Sequence, residues 1–124
     1  MRNITPGKNT DAEIVRKASK TSWGKLLAAG IEIAEYEKTM YHCKIFIVDD
    51  LLVSVGSTNF NNRSFRLNDE ANLNVLNAEF AQKQLAIFNE DWANSKPITY
   101  EQWANRPATE KFLESIAALF KSQL

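Results

Sequence analysis

Tyr41-His42-Cys43-Lys44-Ile45-Phe46-Ile47-Val48-Asp49-Asp50-Leu51-Leu52-Val53-Ser54-Val55-Gly56-Ser57-Thr58-Asn59 decides the fold of this chain. Two apolar runs flank an Asp-Asp pair, which reads as a strand over 40–48, a turn, and a returning strand over 51–55. Gly56 then opens a small polar loop. Neither run alternates, the pattern of strands covered on both faces. On a strand His42 and Lys44 share a face, because side chains repeat every second residue; Asp49 has the opposite parity and should point away. The single histidine of the chain thus stands beside a fixed positive charge. A nucleophile or proton carrier next to an ammonium suits phosphoryl chemistry, where charge on the non-bridging oxygens is neutralised while one substituent is exchanged. Ser57 and Asn59 add a hydroxyl and an amide that can reach phosphate oxygens.

The flanking sequence supplies a scaffold. Residues 2–5 read as a strand stopped by Pro6-Gly7. Thr10 and Glu13 form a capping box for a helix through Ile14, Val15, Ala18, Ser22, Leu26 and Leu27, with Gly30 as its stop. Residues 31–36 alternate like a strand. Strand, helix and strand make a βαβ unit, and hence a sheet with parallel members in a three-layer α/β domain. Downstream, residues 70–76 alternate again, and Asn77 caps a helix to about Trp92 with Leu85, Phe88 and Trp92 on its apolar face. Pro97 breaks it. Thr99 and Gln102 start a short helix ended by Pro107, and a last helix carries Phe112, Leu113, Ile116, Ala117, Leu119 and Phe120 as its expected core stripe. Glu70, at the start of its strand, is placed to hold the second ring N–H of His42 and so fix its tautomer, a role that parity denies to Asp49. Cys43, on the face opposite His42, is expected in the core, and packing is expected of Trp23, Trp92 and Trp103.

Composition narrows the class. The chain is 44% apolar and 24% charged, a globular composition, with fifteen basic residues against fifteen acidic ones. Balanced charge gives no bulk reason to bind nucleic acid. One cysteine builds no disulfide framework, and no run is apolar for long enough to span a bilayer, so the chain is expected to be soluble.

The central segment resembles a known signature. His42-x-Lys44-x4-Asp49 followed by Gly56-Ser57-x-Asn59 is similar to the HKD motif of the phospholipase D superfamily. Asn62-Arg63-Ser64-Phe65-Arg66-Leu67-Asn68-x-Glu70, Thr5-Pro6-Gly7-Lys8 and Gly30-Ile31-Glu32-Ile33-x-Glu35-Tyr36 resemble the C-terminal half of bacterial cardiolipin synthases. The resemblance covers about residues 2–94. It implies an α/β half-domain, a mixed sheet flanked by helices that lacks its first βα unit, over residues 1–96, with 97–124 as a helical extension of the same domain.

The resemblance also implies a phosphatidyltransferase or phosphodiesterase that works through a phosphohistidine, with no metal or other cofactor. His42 would be the nucleophile or the general acid/base, the latter favoured by a second-half motif, and Lys44 would clamp the phosphate. Ser57 and Asn59 would be supporting ligands. Arg63, which directly follows the active loop, reads by its position either as a bidentate ligand of a head-group phosphate or as the ion-pair partner of Asp69. Glu70 would orient His42, and Asp49 would be a structural member of the motif. The implied partners are a phospholipid and a second HKD half. That half comes either from the N-terminal part of a longer parent, acting at the cytoplasmic side of a bacterial membrane, or from a homodimer mate. One histidine cannot be acid and nucleophile on opposite sides of phosphorus, so the chain alone is expected to be incomplete. A single-motif homodimeric phosphodiesterase or nuclease, and an inert half-domain, are the alternatives.

Overall fold

A strand, a helix and a parallel strand begin the chain, as the pattern of residues 2–36 requires. The computed structural model describes residues 1–8, 13–58 and 69–119, which fall into two units, Met1–Tyr41 with Asn94–Leu124, and His42–Ala93. In the first unit β1 (Arg2–Pro6) leads to α1 (Glu13–Ala28) and β2 (Glu32–Tyr36), with β1 and β2 parallel and Ile4 opposite Ala34. Thr10, the expected cap of α1, lies outside the described residues. The other end of α1 is a Schellman closure: Gly30 at φ 79 donates its N–H to Leu27, and Ile31 donates to Leu26. On the exposed face of α1, a hydrogen bond from Lys17 holds the Glu13 carboxyl below its ordinary range.

β6 (Ser95–Ile98) completes this sheet, antiparallel to β2, in the order β1-β2-β6. Sequence reasoning took Pro97 only as a helix breaker. On an edge strand a proline with no N–H to donate costs no ladder bond, so the segment can pair along β2. The expected mixed sheet is therefore present, with helices on it.

Three helices meet in this unit. α3 (Tyr100–Ala104) starts on the expected capping box, with Gln102 N–H donating to Thr99 Oγ1 and Thr99 N–H to the Gln102 side chain. Its Trp103 donates its indole N–H to the Lys20 carbonyl at 2.8 Å and rests where a side chain on Gly24 would lie, 2.7 Å from ring atom Cζ2. Trp23 is buried at 3% exposure, as packing requires.

α4 (Ala108–Leu119) corrects the sequence reading. Its buried residues are Glu114 and Ala117, whereas Phe112, Leu113, Ile116 and Leu119 are exposed; Phe120 lies outside the described residues. The helix turns its small and acidic face inward because Arg106 binds Glu114 there at 2.7 and 2.8 Å, with its guanidinium 4.3 Å from the centre of the Trp103 ring. A buried cation needs its carboxylate more than an apolar stripe needs cover.

A second buried pair anchors β2 to α1. Glu35, 5% exposed, accepts through one oxygen from Arg16 Nε at 2.9 Å and Nη2 at 2.5 Å, with Lys20 Nζ 3.3 Å away. Ile33 and Ala34 beside it are buried at 1%.

The second unit is an antiparallel meander with one helix. β3 (Ile45–Val48), β4 (Leu52–Gly56) and β5 (Asn72–Leu76) pair in that order, and Asn77 Oδ1 caps α2 (Ala78–Ala93) by accepting the Phe80 N–H at 2.8 Å. The register aligns Ile47, Val53 and Val75 in one cross-strand row, with Val53 and Ala81 of α2 fully buried. α2 packs on β3 and β4 with Leu85, Phe88 and Trp92 half-buried at helical spacing. The expectation of strands covered on both faces does not hold within this unit. Phe46 and Leu76, of opposite parity to the buried row, are 43% and 73% exposed.

Candidate active site

The hairpin turn explains where Lys44 and Asp49 go. Asp49 and Asp50 both have positive φ (51 and 52), and Leu51 donates its N–H to the Val48 carbonyl at 3.1 Å. A primed turn of this kind matches the right-handed twist of the flanking strands, and a short aspartate tolerates the left-handed region better than most residues. Asp49 therefore sits at one end of the hairpin, and Lys44 beyond the other end of β3. Five residue steps separate them, roughly 16 Å along an extended strand.

Three segments converge at the Lys44 end. The Gly56 N–H donates to the Lys44 carbonyl at 3.2 Å, which brings the His42-to-Lys44 segment alongside the turn that follows β4. The Ser57 N–H donates to the Ala71 carbonyl at 3.0 Å, which brings in the segment after Glu70. The Ala71 N–H in turn donates to Ser57 Oγ at 3.1 Å. Glu70 is half-buried and lies just ahead of β5. Asn59 and Arg63, read from the sequence as phosphate ligands, lie outside the described residues, as do residues 60–62 and 64–68.

The placement of His42 and Lys44 differs from expectation. β3 begins at Ile45, so residues 40–44 are not part of a regular strand and strand parity does not fix their side chains. Lys44 folds back instead, with Nζ donating to the His42 carbonyl at 2.9 Å. His42 is exposed and Lys44 half-buried. Cys43 is exposed too, not in the core: with no ladder at this position there is no inner face for it to occupy.

Gly56 is fixed by space. It stands opposite Asn72 in the register, and a Cβ there would lie 2.7 Å from Asn72 Cα and closer still to the Ala71 carbonyl oxygen and Asn72 Oδ1. Gly56→Ala should force β5 away from the turn at a cost of about 1–3 kcal/mol. A urea melt would check it; an unchanged midpoint would mean that the strands are not this close.

Asn72 is the residue that sequence reading passed over. Its Oδ1 accepts the Thr58 N–H at 3.2 Å, and its Nδ2 donates to Ser54 Oγ at 3.1 Å. In the alternating stretch 70–76 an asparagine reads as the solvent face of a strand; only the register shows it crossing to the turn. Among the described residues no three His, Cys, Asp or Glu side chains gather as a metal site needs, and no helix is long and apolar enough to cross a membrane.

With this geometry in hand, likeness to known proteins is informative. Residues 1–92 match the family model described as cardiolipin synthase, PLD-like domain. A cardiolipin synthase of Geobacillus sp. (strain WCH70) is 39% identical over 121 residues, 98% of this chain and 24% of that protein. Cardiolipin synthase 1 of Staphylococcus aureus (strain COL) is 38% identical over 109 residues, 88% of this chain and 22% of that one. The major cardiolipin synthase of Bacillus subtilis (strain 168) is 36% identical over 117 residues, 94% and 24% of the two chains. The chain thus spans about a quarter of the length of these relatives. The crystal structure of Nuc from Salmonella typhimurium, a phospholipase D family member, superposes with a TM-score of 0.68 at 20% identity, over 79% of this chain and 63% of that one, a likeness of fold. The chain belongs to the cardiolipin synthase PLD-like domain family.

Proposed function

We propose that this chain is the C-terminal catalytic half of a cardiolipin-synthase-type phosphatidyltransferase, exchanging a phosphodiester through a phosphohistidine. The observation that carries the reading is the convergence of residues 42–44, 56–58 and 70–71 at one end of a single hairpin. An imidazole, an ammonium, a hydroxyl and a carboxylate are then drawn from segments far apart in sequence.

An imidazole nitrogen attacks phosphorus while the bond to the departing alcohol breaks, and that alkoxide takes a proton from a second imidazole. The same group then removes a proton from the acceptor alcohol, which attacks phosphorus and breaks the N–P bond. His42 supplies one of the two imidazoles, and a second His-x-Lys segment supplies the other. That segment comes from the N-terminal part of a longer polypeptide or from a second copy of the chain. Lys44 neutralises the non-bridging oxygens, Ser57 donates its hydroxyl to one of them, and Glu70 holds the ring of His42. Asn59 and Arg63 join the phosphate ligands in this reading. Asp49 shapes the distant turn and acts on the site only through the hairpin.

The test is an assay of the polypeptide as encoded, with phosphatidylglycerol vesicles in buffer containing a metal chelator. Cardiolipin and glycerol are the expected products. Release of phosphatidic acid alone would make the enzyme a hydrolase. Cleavage of DNA without lipid turnover would select the homodimeric single-motif phosphodiesterase instead, and no turnover of either would contradict the proposal.

A further inference from the structure

Every backbone N–H from Gly56 to Thr58 is engaged inside the fold. Gly56 donates to the Lys44 carbonyl, Ser57 to the Ala71 carbonyl, and Thr58 to the side chain of Asn72. Gly-rich turns that hold phosphate usually do so with amides directed at the anion. This turn cannot, because its amides face its own neighbours. What it can present is the Ser57 hydroxyl. One of its lone pairs takes the Ala71 N–H at 3.1 Å, while its one proton-accepting neighbour among the described residues, the Ala71 carbonyl, stands at 3.5 Å, the outer limit of a hydrogen bond. The Ser57 proton is therefore held weakly and can be redirected to an oxyanion.

Where that hydroxyl points depends on the course of the turn, and one side chain closes it. The Asn72 amide spans from the Thr58 N–H to the Ser54 hydroxyl, crossing strand β4 at Gly56, the one position with no Cβ to block it. We propose that Asn72 is a positioning residue for phosphate binding: it fixes the backbone at Thr58 and so aims the Ser57 hydroxyl, without touching the substrate itself. The inference rests on the phosphodiester reading given above and adds a residue to it.

The test uses the polypeptide as encoded, with the NMR signal of the His42 ring identified by its loss in His42→Ala. Inorganic phosphate is titrated against the wild type, Asn72→Ala, Asn72→Asp and Asn74→Ala, and amide exchange at Thr58 is measured in each. Asn72→Ala should speed Thr58 exchange and weaken phosphate binding, each by about fivefold, the scale of one lost hydrogen bond. Asn72→Asp keeps the acceptor oxygen, so Thr58 should stay protected, while the added charge lowers phosphate affinity. Asn74→Ala, two residues along the same strand, should change neither. Unaltered Thr58 exchange in Asn72→Ala would overturn the inference, and so would faster exchange with unchanged phosphate affinity, which would leave Asn72 a merely structural part. A wild-type His42 signal that ignores phosphate would overturn the phosphodiester reading itself, and this inference with it, whatever Thr58 does.

Discussion

Replacing Glu35 by alanine should destabilise the protein by about 3–5 kcal/mol, the usual consequence of removing one member of a buried ion pair. Arg16 and Lys20 stand one helical turn apart on α1, their side chains only 12% and 18% exposed, and both direct their charge at the same carboxylate oxygen. Without Glu35 two largely buried cations are left side by side with their shared carboxylate gone. A native protein commonly has only about 5–15 kcal/mol in total. The urea midpoint should therefore fall by about 2 M, given the usual denaturant dependence of small domains. Glu79→Ala, which breaks an exposed pair with Lys83 one turn along α2, should leave the midpoint where it is. Equal effects from the two substitutions would mean that the Glu35 cluster is solvated.

Glu35 also shows how far the sequence could be read. The alternation of residues 31–36 places a strand there, and a carboxylate in it reads as part of a water-facing side. The strand is right and the environment is not, because the cations that draw Glu35 inward come from a helix fifteen or more residues earlier. The same holds for Glu114, whose partner Arg106 precedes α4 and turns the helix so that its apolar stripe faces out. Local signals were legible: the Gly30 closure of α1, the Asn77 cap of α2 and the Thr99 capping box of α3 each depend on a few neighbouring residues. Properties that depend on a distant partner were not. β3 starts at Ile45 because the ladder ends there, β6 exists because β2 had an open edge, and Asn72 matters because it lies across from Gly56.

The candidate site follows the same division. The identities of His42, Lys44, Ser57 and Glu70 came from spacing and residue chemistry, and the resemblance to a known motif named their roles. The geometry carried by that spacing was only partly right. Asp49 was set apart by strand parity, and it lies at the opposite end of the hairpin from Lys44. Yet Lys44 reaches the carbonyl of His42 by folding back, not by sharing a strand face with it. A short polar segment at the end of a ladder takes its path from hydrogen bonds, and those cannot be read from a period of two.

His42 carries the second large effect. In the exchange proposed above it either bonds phosphorus or moves the proton, and alanine can do neither. Loss of a nucleophile or an essential general acid lowers turnover at least about a thousandfold, while the substrate binding proposed for Lys44 and its neighbours should persist. His42 is exposed, so its replacement should leave the fold intact, which circular dichroism would verify. The decisive measurement is phosphatidylglycerol turnover by the encoded polypeptide with His42 and with alanine in its place, at matched folded concentration. Turnover should fall to background in the variant; turnover at the wild-type rate would contradict the assignment of the chemistry to this residue.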